Sequence, residues 1–468
     1  MGERPPARRA DELDAGACST ATGHDNGPVQ GDEAMEGSDG TGQRSAYAAG
    51  NEHERQSRLD ALSSGLRVRS FRWWFFSQIL SASGTMTQAV AQSWLLLRLT
   101  NDALLLSLLT SAIFAPSLLG GAWAGSIIDR YDRRKILLLT QGTYILLSTA
   151  LGVLVATGTI TVWSIFVFAF ATGCVTALDS PARQIFVLDL VGTDKAANAV
   201  SMNEVVLNAS RVLGPALGGA LLATVGVAVC FFYNAGTFLP PIVVVLTLLH
   251  RRGWASTQAQ TPVRNKGHVR EGIAYVATQP ALRSCVLMAI AGGMLFNMGS
   301  TMPLLATRAF HAGAGAYGAL MACFGVGALF GALLAGSGPA WPSGRKVRYL
   351  GLSTGVEVLL AALSPSIWVL FAGMVMAGFL SIWFVALANT LVQLRTEPRL
   401  RGRVMGVWTM GLPGMNPVTS PLMGEIASWG GGGTGAREAF GSAGAALVLS
   451  ALVGWRALAD RGRPATGR

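Results

Sequence analysis

Between residues 70 and 460 the chain is a succession of apolar runs, each about 20 residues long and almost free of charge, which is the length a helix needs to cross a bilayer. In hydrocarbon every backbone N–H and C=O has to be satisfied internally, so only helices and closed barrels span it. Continuous apolar runs of this length read as helices. The chain is 51% hydrophobic and only 13% charged, with a mean hydropathy of +0.44. Soluble domains carry about 25% charge, so an ordinary soluble enzyme is excluded and an all-α polytopic membrane protein is expected.

Hydropathy places twelve spans near 72–97, 104–128, 135–157, 160–178, 198–222, 224–249, 282–307, 314–336, 347–364, 367–391, 403–429 and 440–459. Polar residues and glycines interrupt the fifth and the eleventh. The net charge of +11 is uneven: residues 1–66 carry −6 and the remainder +17. Lys and Arg in the loops and ends of the body divide 26 to 3 between the two sides, the minority being Arg98, Arg308 and Arg437. Cytoplasmic loops retain Lys and Arg, so both termini are expected in the cytoplasm. The basic charge thus reports topology and not a nucleic-acid partner.

Residues 1–66 hold few large apolar side chains and read as a disordered acidic cytoplasmic tail. They lack the apolar core of a signal peptide, and Met35 offers an alternative, later start. Residues 67–249 and 282–468 form two six-helix halves around a polar, basic linker at 250–281, the second half ending in a short basic tail. Parallel repeats of this kind suit a transporter that rocks around a midplane site. Cys174, Cys230, Cys285 and Cys323 stand singly in apolar runs, and His24, His53, His250, His268 and His311 fall in tail, loops or span ends. No metal or disulfide is assigned. There is no Gly-Lys pair and hence no nucleotide-cradling loop of that type, so no cofactor is expected.

The turn after the second span is the most informative stretch. Gly121 and Gly125 stack on one helical face and permit close approach. Asp129, Arg130, Arg133, Arg134 and Lys135 follow; such a turn marks a cytoplasmic loop and can also latch one half on the other, because a carboxylate is stabilised at a helix N-terminus and guanidinium forks pair with carboxylates. This turn resembles the signature of the major facilitator superfamily, carried here by Gly125, Asp129, Arg130, Arg133 and Arg134. Together with Asp179-Ser180-Pro181-Ala182-Arg183-Gln184, Asn208 through Pro215, and Leu400-Arg401-Gly402-Arg403-Val404-Met405, it is similar to the enterobactin-exporter and macrolide-efflux branch. Gly214, Pro215, Gly218 and Gly219 resemble the G-P-x-x-G-G motif of proton-coupled exporters, and suit a hinge because proline removes one helical hydrogen bond while glycine admits a neighbour. The family's further glycine is replaced by Ser210.

Ionisable groups inside the membrane are costly and are read as functional candidates. Arg211 shares a helical face with Asn208 and Glu204 and reads equally as a buried structural cation or as a substrate or gate residue. Glu357 is either a proton site or a neutral hydrogen-bonded carboxyl. Gln78, Ser81, Thr85, Gln88 and Gln92 form one polar stripe on span one, which should face a central cavity or pair with neighbouring helices; Asn297 and Thr301 repeat it on span seven. Trp94, Trp383 and Phe384 could wall a ring-bearing substrate.

The resemblance implies a monomeric secondary transporter in a bacterial inner membrane. It would export a small amphipathic or hydrophobic molecule, a drug, siderophore or natural product, by proton antiport. An importer of a small metabolite and a non-transporting membrane scaffold or sensor are the alternatives.

Overall fold

The computed structural model describes residues 68–191, 196–249, 268–337, 342–397, 399–412, 414–430 and 433–458; the side chains at 119–126, 129, 196–201, 204, 249, 268–269 and 337 lie outside the description. The expected tail at 1–66, most of the 250–281 linker, and the surroundings of Gly125, Asp129 and Glu204 therefore fall outside it. Among the described residues there are sixteen α-helices and no strand.

Five helices run in sequence through the first segment: α1 (Arg69–Thr100), α2 (Ala103–Arg130), α3 (Arg133–Ala156), α4 (Val162–Val191) and α5 (Ala196–Thr224). They are followed by α6 (Val227–Thr237) and α7 (Leu239–Leu249), separated at Phe238 just before Pro240 and Pro241. The amphipathic α8 (His268–Thr278) meets α9 (Pro280–Leu295) at 114°. The second segment continues with α10 (Met298–Leu304), a π-helical turn at Leu305–Ala309, α11 (Ala314–Ser337), α12 (Gly344–Ala362), α13 (Ile367–Arg395), α14 (Arg401–Gly411), α15 (Asn416–Trp429) and α16 (Gly433–Val453).

Among the described residues, seven helical stretches are long and apolar enough to cross a membrane unaided: Arg133–Ala156, Val162–Val191, Val205–Thr224, Val227–Leu248, Ala314–Gly336, Ile367–Arg395 and Gly433–Val453. Helix α1 is long enough at 32 residues, but Gln78, Gln88 and Gln92 dilute its hydropathy. Those glutamines are buried inside the protein. The outer surface is the reverse: Leu139, Leu146, Leu360 and Leu449 point outward from α3, α12 and α16. Exposed Trp163, Trp368 and Trp429 stand at one end of the bundle, and Trp73, Tyr131 and Tyr349 at the other. An apolar girdle between two aromatic belts is the surface a bilayer demands.

The packing repeats. In the first segment α2 lies on α4 and α3 on α6; in the second, α11 lies on α13 and α12 on α16. Contacts between the two segments run along α5–α11, α2–α15 and from α10 to α1 and α2.

The helix borders differ from the hydropathy estimate in several places, among them the breaks of span six at Phe238 and of span eleven between α14 and α15. Span four does not stop at 178: α4 continues through Asp179, Pro181 and Arg183 to Val191, because Asp179 finds donors within the bundle. Span seven is broken at Phe296–Asn297, and the linker carries α8, held to α14 by an ion pair between Glu271 and Arg403.

Candidate transport site and gates

One end of the bundle is closed by contacts between the two segments. Helix α1 ends at Asn101, which adopts a left-handed φ of 48° and returns its N–H to Leu97 O. The next residue, Asp102, caps α2 by accepting from Leu104 N (2.8 Å) and Leu105 N (3.2 Å). The guanidinium of Arg308, in the π-helical turn, donates to Asn101 O and approaches Asn101 Oδ1 at 3.5 Å. A cation at the carbonyl end of a helix is favoured by the helix dipole. Deeper in, Ser111 Oγ donates to Pro417 O (3.1 Å) and Ser420 Oγ to Ser107 O (2.9 Å). Trp94 stacks on Tyr317 at 6.4 Å.

The Gly-Pro motif explains how α5 reaches both segments. Gly214 and Gly218 face α1: a Cβ on Gly214 would meet Met86 and sit 2.7 Å from Ser83 O, and one on Gly218 would sit 3.2 Å from Val90. Thr87 Oγ1 donates to Gly214 O at 2.9 Å. Gly219 faces α11, where its Cβ would lie 2.7 Å from Gly318 Cα. Pro215 has no N–H to give to Arg211 O, and that carbonyl lies against Gly325 of α11. The Arg211 side chain is half-buried and donates to Asn208 Oδ1 at 3.2 Å.

At the opposite end the charged turn is tied to its own segment. Asp132 caps α3 through Arg134 N (2.9 Å), Arg134 is buried, Arg130 is exposed, and Arg133 pairs with Asp189 of α4 at 2.7 Å. About three turns deeper along α4, Asp179, wholly buried, pairs with Arg183 and accepts from Thr140 Oγ1 (2.7 Å) and Gln141 Nε2 (3.0 Å) of α3.

The polar stripe of α1 divides. Gln88 accepts from Ser148 Oγ (2.8 Å) and Asn234 Nδ2 (2.7 Å), and Gln92 donates to Ile165 O (3.3 Å). These two therefore join α1 to α3, α6 and α4, a buried amide being stable only when hydrogen-bonded. Gln78 is buried with neither amide atom partnered, and Trp74 Nε1 one turn before it is also bare. Asn297 is wholly buried and donates to Thr419 Oγ1 at 3.0 Å. Glu357 lies at the α12–α13 contact, 3.4 Å from the Cβ position of Gly373, with Oε2 buried and unpartnered. Phe384 is packed into the core near Gly292 and Gly351.

Three features escaped sequence reasoning. Asp179 entered only as part of a motif and Asp189 not as a candidate, because partners of each come from residues 38 to 56 positions away. Arg308 counted only as a topology signal. The Asn101-Asp102 pair, two turn-forming residues between apolar runs, was the available clue to a capped and contactable loop.

Comparison with known proteins agrees with this architecture. Residues 61–462 match the major facilitator family described as "Transmembrane secretion effector". The staphyloferrin A transporter of Staphylococcus aureus is 23% identical over 75% of this chain and 88% of its own length. The multidrug efflux pump Tap of Mycolicibacterium fortuitum is 24% identical over 75% and 88%, and the enterobactin exporter EntS of Salmonella paratyphi A 28% over 69% and 74%. A bacterial homologue of the human lysosomal transporter Spinster superposes with a TM-score of 0.63 at 17% identity, covering 83% of this chain and 97% of that one. Motifs, packing and family match together make this chain a membrane transporter, not an enzyme, that belongs to the transmembrane secretion effector family of the major facilitator superfamily.

Proposed function

We propose that this transporter exports a small amphipathic or hydrophobic molecule from the cytoplasm, by proton antiport and alternating access, as a monomer in a bacterial inner membrane. The observation that carries the reading is the position of the contacts between the two segments: they run from mid-membrane to the Arg308 end. Twelve spans follow when α6 with α7, α9 with α10, and α14 with α15 each count as one. The 26 to 3 division of Lys and Arg supports an outer position for the closed end, and among the described residues the charged Arg133 end is tied within its own segment, as expected of a state in which an exporter loads from the cytoplasm. Relatives named as an enterobactin exporter and a multidrug efflux pump support the direction and the substrate class.

In this cycle the Gly214–Gly219 segment is the hinge, because its glycines touch both segments. Gly125, Asp129, Arg130, Arg133 and Arg134 close the cytoplasmic side after the substrate is bound, which requires Arg133 to leave Asp189. Arg211 with Asn208 and Glu204, and Gln78, are the candidate polar contacts for substrate; Gln88, Gln92 and Asn297 contribute through the helices they join. Glu357 is the candidate neutral carboxyl.

Everted vesicles energised to an acid interior test the reading. Addition of ethidium as an amphipathic cation, or of an iron-free siderophore, should dissipate the pH gradient in vesicles holding this protein and not in those holding Arg133→Ala. A flat trace for both probes at saturating concentration would rule out proton antiport of these classes.

A further inference from the structure

Helices α9–α10 and α14–α15 both break, and they break side by side. Gly293, near the end of α9, lies against the second break: a Cβ there would sit 2.5 Å from Leu412 O and 3.4 Å from Gly411 O. One turn further on, Asn297 donates to Thr419 Oγ1 at 3.0 Å and reaches Met423 Sδ at 3.7 Å. Positions 416, 419 and 423 share one face of α15, so Asn416 belongs to the face that Asn297 meets. Asn297 is 0% and Asn416 3% exposed. The Oδ1 atom of each is buried with no donor.

The neighbouring hydroxyls cannot supply the missing protons. Ser300 and Thr301 donate to Asn297 O, and Thr419 donates to Met415 O. Three and a half turns of α15 run from this point toward the closed end, so Asn416 and Thr419 sit at its inner start, about one turn apart. The result is a set of buried acceptors where two helices end and two begin. Unwound backbone and half-helix C-termini at mid-membrane are the elements that hold small cations in transporters.

We propose that the paired breaks, with Asn297 Oδ1 and Asn416 Oδ1 as side-chain ligands and the Leu412 carbonyl, which lies against Gly293, as a backbone ligand, form a binding site for a monovalent alkali cation. The chemistry excludes the neighbouring classes. Amide oxygens do not protonate in the neutral range, so the ligand is not the coupling proton. Divalent ions surrender far more hydration and need carboxylates to offset the loss, and among the described residues no three His, Cys, Asp or Glu side chains cluster. The cation would stiffen the start of α15, whose Pro417 and Ser420 join α2 at the closed end. Occupancy therefore favours the state closed at the Arg308 end. None of this depends on the direction of transport or on proton coupling.

The test uses the purified full chain and follows thermal unfolding by tryptophan fluorescence in NaCl, KCl or choline chloride at equal ionic strength, at pH 6 and pH 8. Expected is a saturable upward shift of the unfolding temperature with Na+ or K+ and none with choline, equal at both pH values. Asn416→Leu should abolish the shift. Asn416→Asp should lower the half-saturating cation concentration at least tenfold at pH 8, and decides the matter if the leucine variant misfolds. An equal response to choline overturns the proposal. So does no response to any salt, which would mean that water alone fills the break, and so do variants that respond like the unmodified protein.

Discussion

Gly318→Ala is expected to drive the transporter out of the conformation described above. A Cβ at position 318 would lie 2.8 Å from Gly219 N and Pro215 O, with Gly219 Cα nearer still. Contacts become ordinary only at 3.4 Å, so α5 and α11 have to separate by 0.6 Å or more. All three atoms are backbone and cannot swing aside as a side chain would. Overpacking of this kind costs about 1–3 kcal/mol. The cost falls only on the state in which these helices touch, so the equilibrium shifts about 5- to 150-fold toward the opposite state. Gly315→Ala is the internal control, because its Cβ would lie 3.7 Å from Ala223 Cβ, an ordinary contact. Spin labels at Thr159 and Leu363, both exposed and at the closed end on opposite segments, read the effect by pulsed electron resonance in a chain freed of its native cysteines. A longer interlabel distance should gain population in Gly318→Ala and not in Gly315→Ala. An unchanged distribution in Gly318→Ala, with normal transport, would refute the claim that this contact closes the Arg308 end.

Two further outcomes follow from single interactions. Arg308→Ala removes a charge-assisted hydrogen bond that is solvent-exposed, worth about 1 kcal/mol there; the same labels should report a roughly fivefold gain of the state open at that end, whereas Asn101→Gly, which keeps the left-handed cap and the carbonyl, should behave as the unmodified protein. Asp179→Ala leaves Arg183 without its carboxylate and strips acceptors from Thr140 and Gln141, at a cost of about 2–4 kcal/mol; thermal unfolding should fall by several degrees, and the Asp179→Ala, Arg183→Ala double variant should recover part of the loss.

Much of the architecture was legible in the chain because a bilayer leaves so few choices. Apolar runs of span length had to be helices, and seven of them pass the test of length and apolarity as observed. The motif residues at 214–219 were legible as a place of close helix approach, because Gly and Pro change what a helix can pack against. What each glycine touches was not legible, since Gly218 and Gly219 are adjacent in sequence yet face α1 and α11 respectively. The charged residues were misjudged most where burial decides their role. Asp179 ended a span on hydropathy, but three hydrogen-bonding atoms from α3 and α4 let the helix carry it through. The glutamine stripe of α1 was correctly seen as a line that cannot face lipid. Whether it faced a cavity or other helices depended on Ser148, Asn234 and the Ile165 carbonyl, which no local pattern connects to it.

The sequence by itself determined that this chain lives in a membrane, that it is helical, and which family's motifs it carries, because the cost of exposing polar backbone to hydrocarbon is local and can be read window by window. Tertiary structure decided which end is closed, which partner each buried charge takes, and where two helices break together. Those are properties of contacts such as the ones between residues 39 and 313 positions apart, and their energy exists only once the helices have packed.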